Sequence, residues 1–260
     1  MRERGGRAPL LVLGGALVFL WVPVLVLVGM SFNAAGTPYT WGGATLDWYA
    51  ALARNEEVLT GLGNTLLVAA GATVGSVILG TPLAIGLHRH LRSGAWEALS
   101  LGPAIAPDLV LAIGLLSLFV LSGVTLGLHS VLLGHLVFGT AFVAAIVRTR
   151  LGHTDPALEE ASRDLGATPL STFFRITIPS LAPAILAGGL LVFTLSLDEF
   201  VIAFFTNGPA TPTLPIVIYS MVRFGLTPEI NALAAVLLLV TFTVVLAAQR
   251  LTGIGGRRRA

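Results

Sequence analysis

The 260-residue chain contains neither cysteine nor lysine. Without cysteine, disulfides and thiolate metal sites are excluded. Without lysine, a Walker-type phosphate loop is excluded too, because that loop needs a lysine on the β- and γ-phosphates. If ATP drives this protein, another polypeptide binds it. Charge is scarce, at 11% of residues against 55% hydrophobic, and the mean hydropathy of +0.89 lies far above that of a soluble domain. The five histidines (88, 90, 129, 135 and 153) form no metal-ligand constellation, and His88 and His90 are too close in sequence to share a helix face. No nucleophile–base pair is visible, so no catalytic, cofactor-binding or metal-binding residue is assigned, and nothing marks a nucleic-acid partner.

What is present is a set of long apolar runs. Crossing about 30 Å of hydrocarbon as a helix takes roughly 20 such residues. Six runs qualify, at about 9–31, 62–87, 99–121, 127–147, 180–205 and 230–250. Their length, and the lack of short alternating segments, predicts helices and excludes a barrel. The fold class expected is all-α, a polytopic membrane protein with six transmembrane helices. The first run is longer than the 7–15 apolar residues of a secretory signal, which predicts an uncleaved first span. Thirteen of the fifteen arginines fall on one side of this topology, with Arg54 and Arg223 on the other. The positive-inside rule then places both termini and the 152–179 loop in the cytoplasm. Trp41, Trp48 and Tyr49 read as interfacial anchors, and the arginines at 257–259 as topology determinants touching anionic membrane lipid. No internal repeat appears, and residues 1–260 are read as a single transmembrane domain.

The stretch EEASRDLGATPLSTFFRITIP, residues 159–179, interrupts the apolar runs with charge, glycine and proline. Asp155-Pro156 supplies an N-cap and a proline at the first helical position, and Gly166 falls where a helix ends in the left-handed conformation. Leu158, Ala161 and Leu165 share one face, while Glu159 and Arg163 form an i,i+4 pair on the other. Thr168-Pro169 repeats the cap-plus-proline start, predicting a second short helix before Pro179 opens the fifth span. A lipid-bound connector would carry a basic face. Here the charges are of both signs.

The stretch resembles the cytoplasmic signature of the membrane subunits of bacterial ABC importers: E-A-A, three residues, G, nine residues, I-x-L-P. The matching positions are Glu160-Ala161-Ser162, Gly166 and Ile176-Thr177-Ile178-Pro179, with Ser162 and Ile178 as conservative departures. The resemblance implies a type I importer permease fold and a pair of coupling helices that dock on a separate ATPase subunit. Within that loop it marks Glu159, Glu160, Ala161, Ser162, Gly166, Ile176 and Pro179. Glu160 would make polar contacts with the ATPase, and Gly166 would let the helix turn sharply.

Carboxylates inside apolar runs are the second informative feature. Asp108 follows Pro103 and Pro107 near the middle of the third run, and Asp198 and Glu199 lie in SLDEF within the fifth. A carboxylate at such depth is costly and normally faces a water-filled cavity or a partner group. Adjacent residues on a helix point about 100° apart, so Asp198 and Glu199 are not expected both to face the same path directly. No arginine lies in the interior of the runs, Arg250 standing at the very end of the last, and a pathway lined by acids alone attracts cations and repels anions. Tyr219 and Glu229 add an aromatic and an acid on the outer side, suited either to a cation entrance or, for the tyrosine, to an interfacial anchor.

These segments, FTLSLDEFVIAFFTNGP and TLPIVIYSMVRFGLTPEINALAAVLLL, look like the C-type permease of spermidine/putrescine importers. Glu199 stands where that family commonly has Asp. The resemblance implies a subunit of an ATP-driven, binding-protein-dependent importer in the bacterial inner membrane. Its partners would be a homologous second permease, two ATP-binding cassette subunits holding ATP and magnesium, and an extracytoplasmic solute-binding protein. The 206–215 loop lies on the outer side, where it either contacts that binding protein or caps the bundle. Alternatives are an importer of another amine, an organic phosphonate, an anion or a metal, and, in another class, a proton-coupled secondary transporter.

Overall fold

A computed structural model describes residues 7–37, 40–91, 93–225 and 227–256. The topology-setting arginines at 2, 4, 92 and 257–259 lie outside the described residues. The described chain is helical, and its one β-feature is an isolated bridge between Asn33 and Ala44. The helices are α1 (Arg7–Met30), α2 (Asp47–Leu52), α3 (Glu56–Arg89), α4 (Gly94–Leu101), α5 (Asp108–Leu121), α6 (Leu128–Leu151), α7 (Ala157–Asp164), α8 (Pro169–Thr172), α9 (Ile178–Asp198), α10 (Val201–Thr206), α11 (Leu214–Phe224) and α12 (Pro228–Gly256).

Among the described residues, four helices are long and apolar enough to cross a membrane, and a bent pair makes a fifth if it is counted as one span. The described helices depart from the six expected runs in two places. The third run is not straight: α4 with its 3-10 turn (Gly102–Ala104) meets α5 at 95°. Pro103 and Pro107 lack amide hydrogens, and a residue preceding proline is driven out of the helical region, so the ladder cannot continue through Ala106. The fifth run ends at Asp198, where Glu199 is extended, and resumes as α10. The sixth run falls on α12.

The chain forms two compact units, Met1–Leu59 with Ile218–Ala260, and Thr60–Val217. In the first, α12 packs on α1 and α2. Leu11, Phe19, Leu20 and Leu25 of α1 remain exposed, as suits a helix whose solvent is lipid. The loop after α1 is organised by the buried Asn33. Its side-chain oxygen accepts from the amides of Ala35 (3.1 Å) and Gly42 (2.8 Å), and its side-chain nitrogen donates to the carbonyls of Thr37 (3.1 Å) and Thr40 (2.7 Å). Trp48 donates to the Asn33 backbone carbonyl at 2.8 Å, and the Tyr49 and Ser31 hydroxyls meet at 2.6 Å.

In the second unit α6 is central, with α9 its main neighbour. Val143, Val147, Leu181 and Val192 are buried between these helices, joined by Ala72 and Ala84 of α3. Lipid tails are as apolar as leucine, so helices in a bilayer associate through close backbone approach and not through exclusion of water. Gly139 provides that approach. A Cβ there would meet Ser76 of α3 on one side and lie 2.9 Å from the Val192 side chain of α9 on the other.

Candidate functional site: a coupling loop and an acidic chamber

The 152–179 loop folds as its turn residues direct. The Asp155 carboxylate accepts from the Ala157 amide at 2.9 Å at the start of α7. At its end, Gly166 adopts φ +85°, and the amides of Gly166 and Ala167 return to the carbonyls of Arg163 (2.8 Å) and Ser162 (3.1 Å). Thr168 caps α8 by accepting from the Ser171 amide at 3.3 Å. Instead of stopping before Pro179, α8 passes through a π turn (Phe173–Thr177) directly into α9, so the expected second short helix is the N-terminal extension of the fifth run. Proline cannot donate to the preceding turn, and the wider π turn accommodates the missing bond.

Leu158, Ala161 and Leu165 share a face, and that face is exposed, with Leu165 89% accessible. Glu160 is exposed beside it, as is Pro179, while Ile176 is half-buried. Ser162 meets the Thr172 hydroxyl at 3.0 Å and ties α7 to α8. Glu159 points the other way: it accepts from Thr177 at 2.6 Å and from Arg89 at 2.5 Å, with Arg163 at 4.0 Å. Partial burial opposes its ionisation, but the Thr177 and Arg89 hydrogen bonds prevail and hold the carboxyl below its usual range. Nearby, Arg148 pairs with Glu97, one of the bonds being 2.8 Å.

Deeper in the same unit, both helix breaks open onto one chamber of about 370 Å³. Asp108, Asp198 and Glu199 line it with Phe138, Phe142 and Phe200. Asp108 begins α5, immediately after the bend, and Asp198 ends α9 immediately before the break. Both residues are exposed. The 100° rule for neighbouring helical residues does not apply across the break, so Asp198 and Glu199 both reach the chamber wall. Glu199 has a second engagement, accepting from the amides of Ile202 (2.9 Å) and Ala203 (3.0 Å), donors that the interrupted helix would leave unmet.

Tyr219 and Glu229 belong to the first unit and are absent from this lining. Glu229 accepts from the Asn55 side-chain amide at 2.8 Å. In the 206–215 loop, Asn64 donates to the Pro212 carbonyl at 2.9 Å and Thr65 accepts from the Leu214 amide at 2.7 Å, holding the loop against α3.

One residue that sequence reasoning passed over stands at the break. His135 of α6 is 1% exposed, and its Nδ1 lies 2.6 Å from the Ser196 hydroxyl. Its Nε2 faces the Glu199 carboxylate at 3.5 Å. The signal was there: an ionisable side chain inside an apolar run merits the same scrutiny as Asp108. Testing the histidines only for metal spacing missed it.

The family model for "Binding-protein-dependent transport system inner membrane component" matches residues 2–259. The chain is 42% identical over 241 residues to the putrescine transport system permease protein PotI of Escherichia coli (strain K12), covering 89% of this chain and 85% of that protein. It is 36% identical over 233 residues to the spermidine/putrescine transport system permease protein PotC of the same strain, covering 89% and 88%. Among solved structures, a bacterial ABC transporter involved in import of the acidic polysaccharide alginate matches with a TM-score of 0.73 at 17% identity, over 96% of this chain and 98% of that one. The MetNI methionine ABC transporter, in inward-facing form, matches with 0.63 at 19%, over 80% and 97%. These two share the fold. The chain belongs to the family of binding-protein-dependent transport system inner membrane components, and is a multi-pass permease of the inner membrane.

Proposed function

We propose that this permease forms half of a translocation pore in an ATP-driven importer of polyamines. The observation that carries the reading is the chamber: two helix breaks bring Asp108, Asp198 and Glu199 to one cavity that has no basic side chain in its lining. A flexible di- or trication finds acidic groups and aromatic faces there, while an anion is repelled. The similarity to PotI and PotC supports the same substrate class.

The driving force enters through the loop. The exposed Leu158–Ala161–Leu165 face and Glu160 would dock on a cytoplasmic ATPase, the site of ATP and magnesium, and closure of the ATPases would move α8 and α9 through their continuous helix. The remaining partners are a homologous second permease and an extracytoplasmic solute-binding protein. The arginine distribution supports a topology with both termini in the cytoplasm. Binding at the acids is weak enough to release the cation inward.

The test is uptake of labelled spermidine into vesicles holding the complete importer, with wild type compared to Asp198→Asn at matched assembly and ATPase activity. Transport by wild type and its loss in the variant support the reading. Unchanged uptake removes Asp198 from the path, and a wild type that never transports polyamine removes the substrate.

A further inference from the structure

We propose that His135 is the positioning residue of the break in the fifth run, fixing from α6 the turn that presents Asp198 to the chamber. The inference rests on the reading of that chamber as the cation path.

The segment α10 is only six residues long and has little stability of its own. Its placement comes from α6. Ser130 donates to the Thr206 carbonyl at 2.7 Å, at the far end of α10 from the break. At Gly134, a Cβ would come within 2.7 Å of the Ile202 side chain, so the two helices approach as closely as glycine permits. His135, the next residue on α6, meets the other side of the break. Its Nδ1 holds Ser196, two residues before α9 ends, and its Nε2 faces Glu199, whose carboxylate caps the start of α10. One imidazole thus spans the last turn of α9 and the first of α10, with Asp198 between its two contacts. The Phe138 ring, 5.4 Å from the imidazole, is part of the chamber wall.

The chemistry assigns the hydrogens. A carboxylate only accepts, so Nε2 must carry hydrogen to face Glu199 favourably. In the neutral ring, Nδ1 then accepts from Ser196. In the imidazolium both nitrogens donate. Either way Nδ1 pairs with Ser196 and Nε2 presents a hydrogen toward Glu199 at 3.5 Å, whereas an apolar residue would leave the Ser196 hydroxyl without this partner and the Glu199 carboxylate facing no polar group but the backbone amides.

This role differs from simple core packing in what it controls. A packing defect lowers the amount of assembled complex. A positioning defect leaves assembly and ATPase stimulation in place but lowers cation moved per ATP.

The experiment uses the complete importer in vesicles, with His135→Ala, His135→Asn and His135→Gln. Asn retains an amide near Nδ1, and Gln reaches toward Nε2. Two quantities are read: labelled spermidine taken up per ATP hydrolysed under stimulation by the loaded binding protein, and the alkylation rate of Leu195→Cys, a chamber-lining position, by a cationic thiol reagent. The second is followed by mass spectrometry of this chain, which has no cysteine of its own. Expected is a fall of about tenfold in uptake per ATP for His135→Ala, as for loss of the Ser196 hydrogen bond together with the imidazole facing Glu199. Partial recovery in Asn or Gln and an altered alkylation rate relative to Leu195→Cys alone are also expected. Unchanged uptake per ATP at matched assembly overturns the proposal, whatever the alkylation rate. If His135→Ala fails to assemble, the Asn and Gln variants decide by the same readouts. If wild type moves no polyamine, the substrate assignment falls, and the alkylation rate alone decides whether His135 sets the break: an unchanged rate refutes it.

Discussion

Arg89 at the end of α3 and Glu159 in α7 stand 70 positions apart in the sequence and meet in a hydrogen-bonded ion pair, which Thr177 completes at 2.6 Å. The carboxylate that the sequence groups with the docking residues is the one that fastens the loop to the spans. The loop is thus joined to the long helices twice, by the continuous α8–α9 helix and by the Glu159–Arg89 pair to α3.

Glu159→Gln and Arg89→Gln are each expected to keep ATPase copurification and to lower transport per ATP severalfold. The reversed pair, Arg89→Glu with Glu159→Arg, should recover part of the loss. Glu159 has a lowered folded carboxyl pKa, so the clasp is fully formed above the ordinary carboxylate value of about 4.3 and is lost as pH falls through the folded value. Amide exchange in α7 should therefore stay flat from neutral pH down to about 5, once corrected for the intrinsic rate, and rise only in stronger acid. Glu159→Gln should remove that acid step.

Gly166 and Glu160 test different properties of the same loop. At φ +85° an alanine is strained by about 1–2 kcal/mol, so Gly166→Ala should increase exchange across α7 and α8 and reduce copurification of the ATPase. Glu160 is exposed, so Glu160→Arg should reduce copurification with no change in exchange. Retention of the ATPase in both variants would refute docking through this loop.

Gly139 lies where α3, α6 and α9 come together, with Ser76 and Val192 in the way of any larger side chain. Gly139→Val should cost about 1–3 kcal/mol by overpacking and lower the melting temperature in detergent. Gly63, where an added methyl group would find nothing within 4 Å, is the control: Gly63→Ala should leave the melting temperature unchanged or raise it.

Asn33 makes four hydrogen bonds within the loop after α1. Asn33→Ala leaves those backbone groups unpaired, each at about 1–3 kcal/mol where burial keeps water out, and should make the loop the first site of proteolytic cleavage. Asn33→Asp keeps the acceptor and loses both donors, so it should be cleaved at an intermediate rate.

Much of the fold was legible because a bilayer imposes a simple requirement: about 20 apolar residues per crossing, with the backbone satisfied internally. The loop was legible because its punctuation is local. Asp155, Gly166 and Thr168 act within a turn of their own positions, and each does what its residue type predicts. The breaks were less so. Pro103 and Pro107 announce the bend in the third run, yet 99–121 still reads as one apolar segment by composition. Nothing local announces the break at Glu199, since the cap that stabilises it comes from the side chain itself turning to Ile202 and Ala203.

What the sequence determined by itself is the membrane class, the lack of the lysine that a Walker-type phosphate loop needs, and a polar loop with the importer signature. These follow from composition and from interactions spanning a few residues. Tertiary structure decided which carboxylates share a chamber, that Glu159 faces inward while Glu160 faces out, and that His135 bridges Ser196 and Glu199. Those outcomes depend on contacts between helices far apart in the chain, where close packing and pairing of buried polar groups select one arrangement that no local pattern encodes.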